Sequence, residues 1–392
     1  MVRLAAALYF DLVGGRGSGR GAPPQLICKP LGGCDLIEAS ANAIEIDRVK
    51  ELVQTSESRM FRPTLILLAM CVSTNTARPR GSQPPLPPPG RLVDLGGYRL
   101  HLLCSGPAAP NRPTVILSAG GGDFAVDWSL VQRPLSDSVR VCSYDRPGYG
   151  WSDPGPEPRT FRQETFDLHT ALAKGGEHPP YVVVGHSLGA FVARTFTDSY
   201  RKEVAGVVLV GPTNENGKLG YRGQFVLMRS LATDRPIPPP HTFAESPATR
   251  GTGADVDSCR ARAERTARIV RPYDQLGAQA QRYRVWALRH PACREGQDDL
   301  FAEQMAAFYN RWQADPHPLG DLPLIVVMGT QRTGPPPGLS EAEWRSDSLR
   351  IDLSRLSRRG KLVTDSLSGH HVQLDNPALV TDAIREVLRS IP

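Results

Sequence analysis

From Arg91 onward the chain alternates short apolar runs with longer amphipathic or polar stretches. Arg91 to Cys104 shows two alternating runs about Gly96-Gly97, the pattern of a hairpin. Further apolar runs follow at Thr114–Ser118, Arg140–Tyr144, Tyr181–Val184, Val204–Val210, Leu322–Met328 and Lys361–Thr364. They are rich in β-branched residues and nearly continuous rather than alternating, which predicts strands buried on both faces. Helical stretches separate them at Trp128–Leu135, Arg162–Leu172 and Ala190–Ser199. Strand–helix–strand repetition of this kind predicts an α/β chain, with a mostly parallel eight-stranded sheet and helices on both faces. Function in such sheets gathers at the carboxyl ends of the strands.

About a hundred residues lie between the sixth and seventh predicted strands, far beyond ordinary loop lengths of roughly 2–6. Helical patterns appear there near Ser258–Val270, Gln275–Leu288 and Asp298–Trp312. Leu276, Ala280, Tyr283 and Leu288 form a helical stripe, for packing or, in part, for lining a pocket. The insertion, 214–320, is expected to be a helical cap. It splits the core into 91–213 and 321–392.

Residues 1–90 carry no such pattern. Gly14 to Pro24 is rich in Gly, Arg and Pro, and only Ile37 to Val53 has helical periodicity. Residues 1–90 are expected to be a disordered N-terminal segment, of which 1–59 are either disordered or upstream sequence joined by an early start. Met60-Phe61-Arg62-Pro63 followed by the apolar run Thr64 to Cys71 has the form of a secretory signal at 60–71, or of a short buried strand or helix. The run is too short to span a bilayer. Ser73 to Pro89, ending in Pro84-Pro85-Leu86-Pro87-Pro88-Pro89, reads as a stiff linker.

The net charge of +6 comes from 46 basic against 40 acidic residues, without clustering. No basic block marks a nucleic-acid partner. The seven cysteines include no C-x-x-C pair, so zinc and dithiol redox readings are poor.

The chemistry concentrates in Gly185-His186-Ser187-Leu188-Gly189, between the fifth predicted strand and a helix. This is the G-x-S-x-G pattern in strand–turn–helix context. The turn is sharp enough to strain the residue at its apex, and small neighbours are needed beside it. The Ser187 hydroxyl would stand clear of the sheet at a helix N-terminus.

This arrangement resembles the α/β-hydrolase family, in its serine esterase and lipase-like branch, over about Arg91 to Pro392. Asp145-Arg146-Pro147-Gly148-Tyr149-Gly150-Trp151-Ser152-Asp153 is similar to the family's DRxGYGxSD loop, and Ser368-Gly369-His370 to its late SGH. The resemblance implies Ser187 as nucleophile and His370 as general base, since a serine hydroxyl needs a base to take its proton. His371 lacks the preceding glycine and ranks second. His186, inside the motif, points elsewhere in the family. Leu188 would supply one oxyanion-hole N–H. Gly121, in Ala119-Gly120-Gly121-Gly122 after the third strand, would supply the other. No Lys-Ser/Thr follows those glycines, which argues against a phosphate loop.

The acid departs from the family pattern. Gly211 stands where many relatives carry Asp or Glu after the sixth strand, and Gly329 to Ser340 contains no carboxylate. Glu215 is the nearest replacement and the expected acid. Glu341, Glu343 and Asp347 look like surface positions. The resemblance thus implies a serine hydrolase cleaving a small-molecule carboxylic ester, or less readily an amide, through an acyl-enzyme, without cofactor or metal. A binding protein on an impaired hydrolase fold and an acyltransferase remain alternatives. In this fold the second strand neighbours the fourth, so Cys104 and Cys142 could bridge, and Cys259 and Cys293 could pair within the cap. Four reduced buried thiols are the alternative. Translation from Met60 would place the protein outside the cytoplasm, with Cys71 available as a lipid anchor. Translation from Met1 would leave it cytoplasmic.

Overall fold

In the computed structural model, which describes residues 86–110, 112–221, 224–242, 254–291, 299–331 and 352–391, the eight predicted apolar runs form one sheet. Its strands are β1 (Arg91–Asp94), β2 (Arg99–Ser105), β3 (Thr114–Ser118), β4 (Val141–Tyr144), β5 (Tyr181–His186), β6 (Val204–Val210), β9 (Leu324–Gly329) and β10 (Gly360–Asp365). The order is β1-β2-β4-β3-β5-β6-β9-β10. Only β2 runs against its neighbours, and every pairing from β4 to β10 is parallel. Residues 1–85 lie outside the described residues, and with them the 60–71 segment, Cys71 and most of the Pro-rich linker.

The near-continuous apolar strands follow from burial on both faces. Tyr181 and Val183 of β5 join Leu102, Ile116 and Leu209 on one side. Val182 and Val184 join Val115, Leu117 and Val208 on the other. Successive side chains on a strand point to opposite faces, so a strand covered twice must be apolar at every position. Helices α2 (Phe161–Lys174) and α3 (Gly189–Ser199) cover the first face through Leu168, Leu172 and Phe196. Helices α1 (Ser129–Leu135) and α8 (Pro377–Arg389), the latter just after the short α7 (Val372–Asp375), cover the second through Val131, Leu135, Val380, Ile384 and Val387. The sequence reading did not single out α8, although Asn376-Pro377 opens it: the Asn376 side chain accepts from the Leu379 amide at 3.2 Å, and Pro occupies the first turn, where no N–H is needed.

The long segment between β6 and β9 contains a hairpin, β7 (Lys218–Tyr221) and β8 (Gln224–Leu227), that the sequence did not announce. It also holds α4 (Ala254–Thr266), α5 (Ala278–Arg289) and α6 (Phe301–Ala314). The predicted helix over Gln275–Leu288 begins later because Gly277 is extended, with ψ at 152°. Its stripe is largely packing: Ala280, Tyr283 and Leu288 meet Phe124, Val126 and Trp151, while Leu276 packs beside Tyr273 and Leu374. Trp286 stacks on Trp151 at 4.5 Å between ring centroids. The Trp151 indole N–H also donates to the Leu86 carbonyl at 2.9 Å. The end of the Pro-rich segment is therefore docked on the core, five residues before β1.

A disulfide joins Cys104 and Cys142, which face each other across β2 and β4. Cys259 is also disulfide-bonded. Its expected partner, Cys293, lies outside the described residues.

Candidate active site

The carboxyl ends of β3, β5, β6, β9 and β10 deliver the loops that meet around Ser187. Ser187 follows β5 directly and has a φ of +51°, a left-handed backbone in a residue other than glycine. Such a conformation costs on the order of 1–3 kcal/mol and persists only where its surroundings enforce it. Here the Ser187 amide donates to the Val210 carbonyl at 3.1 Å, and its own carbonyl accepts from the Thr213 amide at 3.2 Å. The flanking glycines are required by contact: a Cβ on Gly185 would lie 2.3 Å from the Gly189 carbonyl oxygen, and one on Gly189 would lie 2.4 Å from that of Ser118.

His370 stands in the loop after β10. Ser368 Oγ donates to Asp365 Oδ2 at 2.5 Å, the Gly369 amide to Asp375 Oδ2 at 2.9 Å, and the Gln331 amide to the Ser368 carbonyl at 2.9 Å. The loop so pinned brings His370 Nε2 to 2.8 Å from Ser187 Oγ. Thr213 Oγ1 lies 3.2 Å from the same oxygen, a contact that no motif signals. His370 is exposed as a residue, while the imidazoles of His186 and His371 crowd its ring at 5.0 and 5.2 Å between centroids. Desolvation by the surrounding protein, with the neighbouring His186 and His371, draws its pKa below the ordinary histidine value. It thus stays neutral to lower pH than a free imidazole.

Glu215 is not brought to His370. Its buried carboxylate takes two bonds from Arg194 of α3, Oε2 from Nη1 at 2.9 Å and Oε1 from Nη2 at 2.6 Å. Among the described residues no carboxylate bonds His370 Nδ1. Position 211 explains part of this. Gly211 has φ +46°, and a Cβ there would lie 3.6 Å from His370 Nδ1 but only 2.4 Å from the His370 carbonyl oxygen. The carbonyl occupies the room that an acid at 211 would need. Glu341, Glu343 and Asp347 lie outside the described residues.

The loop after β3 is fastened from the motif 145–153. The buried Arg146 donates to the carbonyls of Ala119 at 3.0 Å and Gly120 at 2.6 Å, with Glu164 3.5 Å away. Burial disfavours the guanidinium charge, but Glu164 together with Tyr149, Tyr144 and Asp123 outweighs it and the pKa rises. Asp145 accepts from His101 Nδ1 at 2.8 Å and from the amides of Ala125 at 2.8 Å and Trp151 at 3.2 Å. The amides of Gly121 and Leu188 donate to no protein acceptor among the described residues.

Behind His370 lies a buried polar cluster. Asp123 Oδ2 is 3.2 Å from His186 Nδ1, and Asp123 Oδ1 accepts from the Tyr273 hydroxyl at 2.5 Å. His371 Nε2 is 2.9 Å from that hydroxyl, so His371 faces the cluster and not Ser187. Arg284 ion-pairs with Asp127 and stands 3.6 Å from Asp123. Burial pushes Asp127 up to about 7; it would raise Asp123 too, but the His186 hydrogen bond and the electrostatic pull of His371, His186 and Arg284 hold Asp123 well below the carboxylate range. Burial lowers His371 to about 4. Asp123, His186 and His371 place one ligand atom each within 4.8 Å of one another, the spacing of a metal site. The Arg284 guanidinium and the Tyr273 hydroxyl already supply the donors and the positive charge that a cation would bring.

Beside the elbow opens a small solvent-accessible cleft of about 80 Å³, whose walls include Arg146, Tyr149, Phe161, Glu164, Leu188 and Phe301. Its lining mixes aromatic and charged groups.

Residues 115–383 match the model of the alpha/beta hydrolase family. The chain belongs to that family. An AB hydrolase superfamily protein of Gibberella zeae is 25% identical over 316 residues, 75% of this chain and 92% of that protein. The probable transporter efuK of Hormonema carpetanum is 33% identical over 129 residues, 32% of this chain, and the matched part spans only 18% of it. Among solved structures, the enol-lactonase from Burkholderia xenovorans LB400 is similar with a TM-score of 0.50 at 16% identity, covering 76% of this chain and 100% of that one.

Proposed function

We propose that the protein is a serine hydrolase that cleaves a carboxylic ester of a small molecule through an acyl-enzyme. The observation that carries this reading is the 2.8 Å contact between Ser187 Oγ and His370 Nε2 at a strained turn. His370 takes the hydroxyl proton as Ser187 attacks the carbonyl carbon, then returns it to the leaving alcohol. The tetrahedral oxyanion is held by the amides of Leu188 and Gly121, each such donor being worth about 2.7–4 kcal/mol. Water repeats the cycle on the acyl-enzyme, with His370 again as base. Thr213, bonded to Ser187 Oγ, stabilises the hydroxyl in its attacking position. The segment 214–320 acts as the cap, and the cleft at Leu188 receives the substrate.

The absence of a carboxylate at Nδ1 among the described residues supports a slower catalyst than a full triad, since losing the acid costs about 10⁴ in rate. The Cys104–Cys142 disulfide supports work in an oxidising compartment. The test is hydrolysis of a series of p-nitrophenyl esters by the wild type, Ser187→Ala and His370→Ala. Turnover that both substitutions abolish, in variants that melt like the wild type, is the expected result. Turnover unchanged in Ser187→Ala would overturn the assignment.

A further inference from the structure

Among the described residues no carboxylate meets His370 Nδ1, and the ring bonds Ser187 through Nε2 alone, so the base needs another contact to orient it. His186 offers the contact: its Nε2 lies 3.1 Å from the main-chain oxygen of His370, while its Nδ1 lies 3.2 Å from Asp123 Oδ2. The imidazole is fully buried. One ring nitrogen therefore faces a carbonyl, which can only accept, and the other faces a carboxylate. A neutral imidazole has a single N–H and would leave one of these buried acceptors against a lone pair. The imidazolium has two and satisfies both.

We propose that His186 is a positioning residue for the base: protonated on both ring nitrogens and neutralised by Asp123, it donates to the His370 carbonyl and fixes His370 by its backbone. This inference rests on the reading of His370 as the base of a hydrolase. The geometry around the pair agrees. Gly211, having no side chain, lets the His370 carbonyl come down onto the end of β6, where His186 can reach it. Tyr273, from the turn after α4, and Arg284, from α5, keep Asp123 ionised. Of the other titratable groups facing the pair, His371 and His370 have ring centroids 4.9 and 5.0 Å from that of His186, and Asp127 stands on the far side of Arg284. The Asp123 carboxylate offsets part of the repulsion that the His186 cation exerts on the charge His370 acquires during attack. Because residues 186 and 187 are adjacent, one turn of chain places both the nucleophile and the group that fixes its base.

Two substitutions separate this role from packing. His186→Gln can keep an N–H near the Nε2 position and so the bond to the His370 carbonyl. His186→Asn can keep only the bond to Asp123. Misplacing a catalytic group by about 1 Å can cost ~10²-fold. We expect His186→Asn to lose about that much in kcat with KM little changed, and His186→Gln to stay much nearer the wild type. In both, loss of the cation beside His370 moves the acid limb of kcat/KM to higher pH. Nitrogen-15 NMR of the wild type at pH 7 is expected to show two N–H correlations from His186. A single N–H on His186, metal retained stoichiometrically by the purified protein, or His186→Asn matching His186→Gln in kcat would each overturn the inference. A folded wild type that hydrolyses no ester would instead count against the hydrolase reading, and the NMR result would still decide the state of the pair.

Discussion

Glu215→Gln separates a structural carboxylate from a catalytic one. The Arg194 and Glu215 side chains keep 5% and 0% of their exposure and meet through two hydrogen bonds. A buried ion pair adds little net stability over apolar residues, but removing one partner leaves the other charge uncompensated, at about 3–5 kcal/mol. Glutamine keeps one acceptor and turns an amide N–H₂ toward the guanidinium, so one of the two bonds is lost along with the charge. The rings of Phe308 and Phe191, 4.6 and 5.7 Å from the guanidinium, offset some of this, at up to roughly 2 kcal/mol where desolvated. The expected net cost is about 3 kcal/mol, read as a lower urea midpoint at unchanged slope. Arg194→Met with Glu215→Leu should recover most of it. The kcat of the folded fraction should fall by less than about tenfold, against ~10⁴ for a lost triad acid. A loss above ~10³ in kcat with an unchanged midpoint would refute this and return Glu215 to the acid's role.

Burial raises Asp167 to about 7, so between its unfolded value near 3.8 and that pH the folded state holds a proton that the unfolded chain has released. Its contribution is therefore complete below pH ~4 and is lost as pH rises through ~7. Asp167→Asn, which retains an acceptor for Tyr98 and Gln163, should gain stability over the wild type progressively from pH 4 to 8, by a few kcal/mol at ~1.36 per pKa unit; parallel urea-midpoint profiles would contradict this. Replacing Cys104 and Cys142 by serine opens a loop of 38 residues and should cost about 4 kcal/mol in urea unfolding; no change would mean the bridge does not form in solution. Gly211→Ala forces a methyl to within 2.4 Å of the His370 carbonyl at positive φ; it should lower both the melting temperature and kcat, and a variant with full activity would show that the carbonyl need not sit there.

What the sequence disclosed and what it hid divide by range. Ser187 and its glycines lie in one five-residue turn, and His370 in a three-residue motif, so both could be singled out as candidates without the fold. Cys104 and Cys142 became legible once adjacent strands could be assumed. The Arg194–Glu215 pair was not, because nothing local tells a carboxylate four residues past a strand whether it will turn to a histidine or to an arginine on the next helix. Asp123 and His186 are 63 residues apart and Asp123 and Tyr273 are 150 apart, and only the closed sheet brings them together. Arg146 stood inside a quoted motif, but its grip on the Ala119 and Gly120 carbonyls follows from β3 lying beside β4. The β7–β8 hairpin escaped because each strand is only 4 residues long and Gln224–Leu227 lacks the alternation that marks a half-buried strand.

The central claim is that Ser187 is an activated nucleophile. The most direct measurement treats the purified protein with a fluorophosphonate and maps the adduct by mass spectrometry, with His370→Ala alongside. The account predicts one adduct, on Ser187, formed in the wild type and lost in His370→Ala. A folded wild type that forms no adduct, or one labelled at another residue, would contradict it.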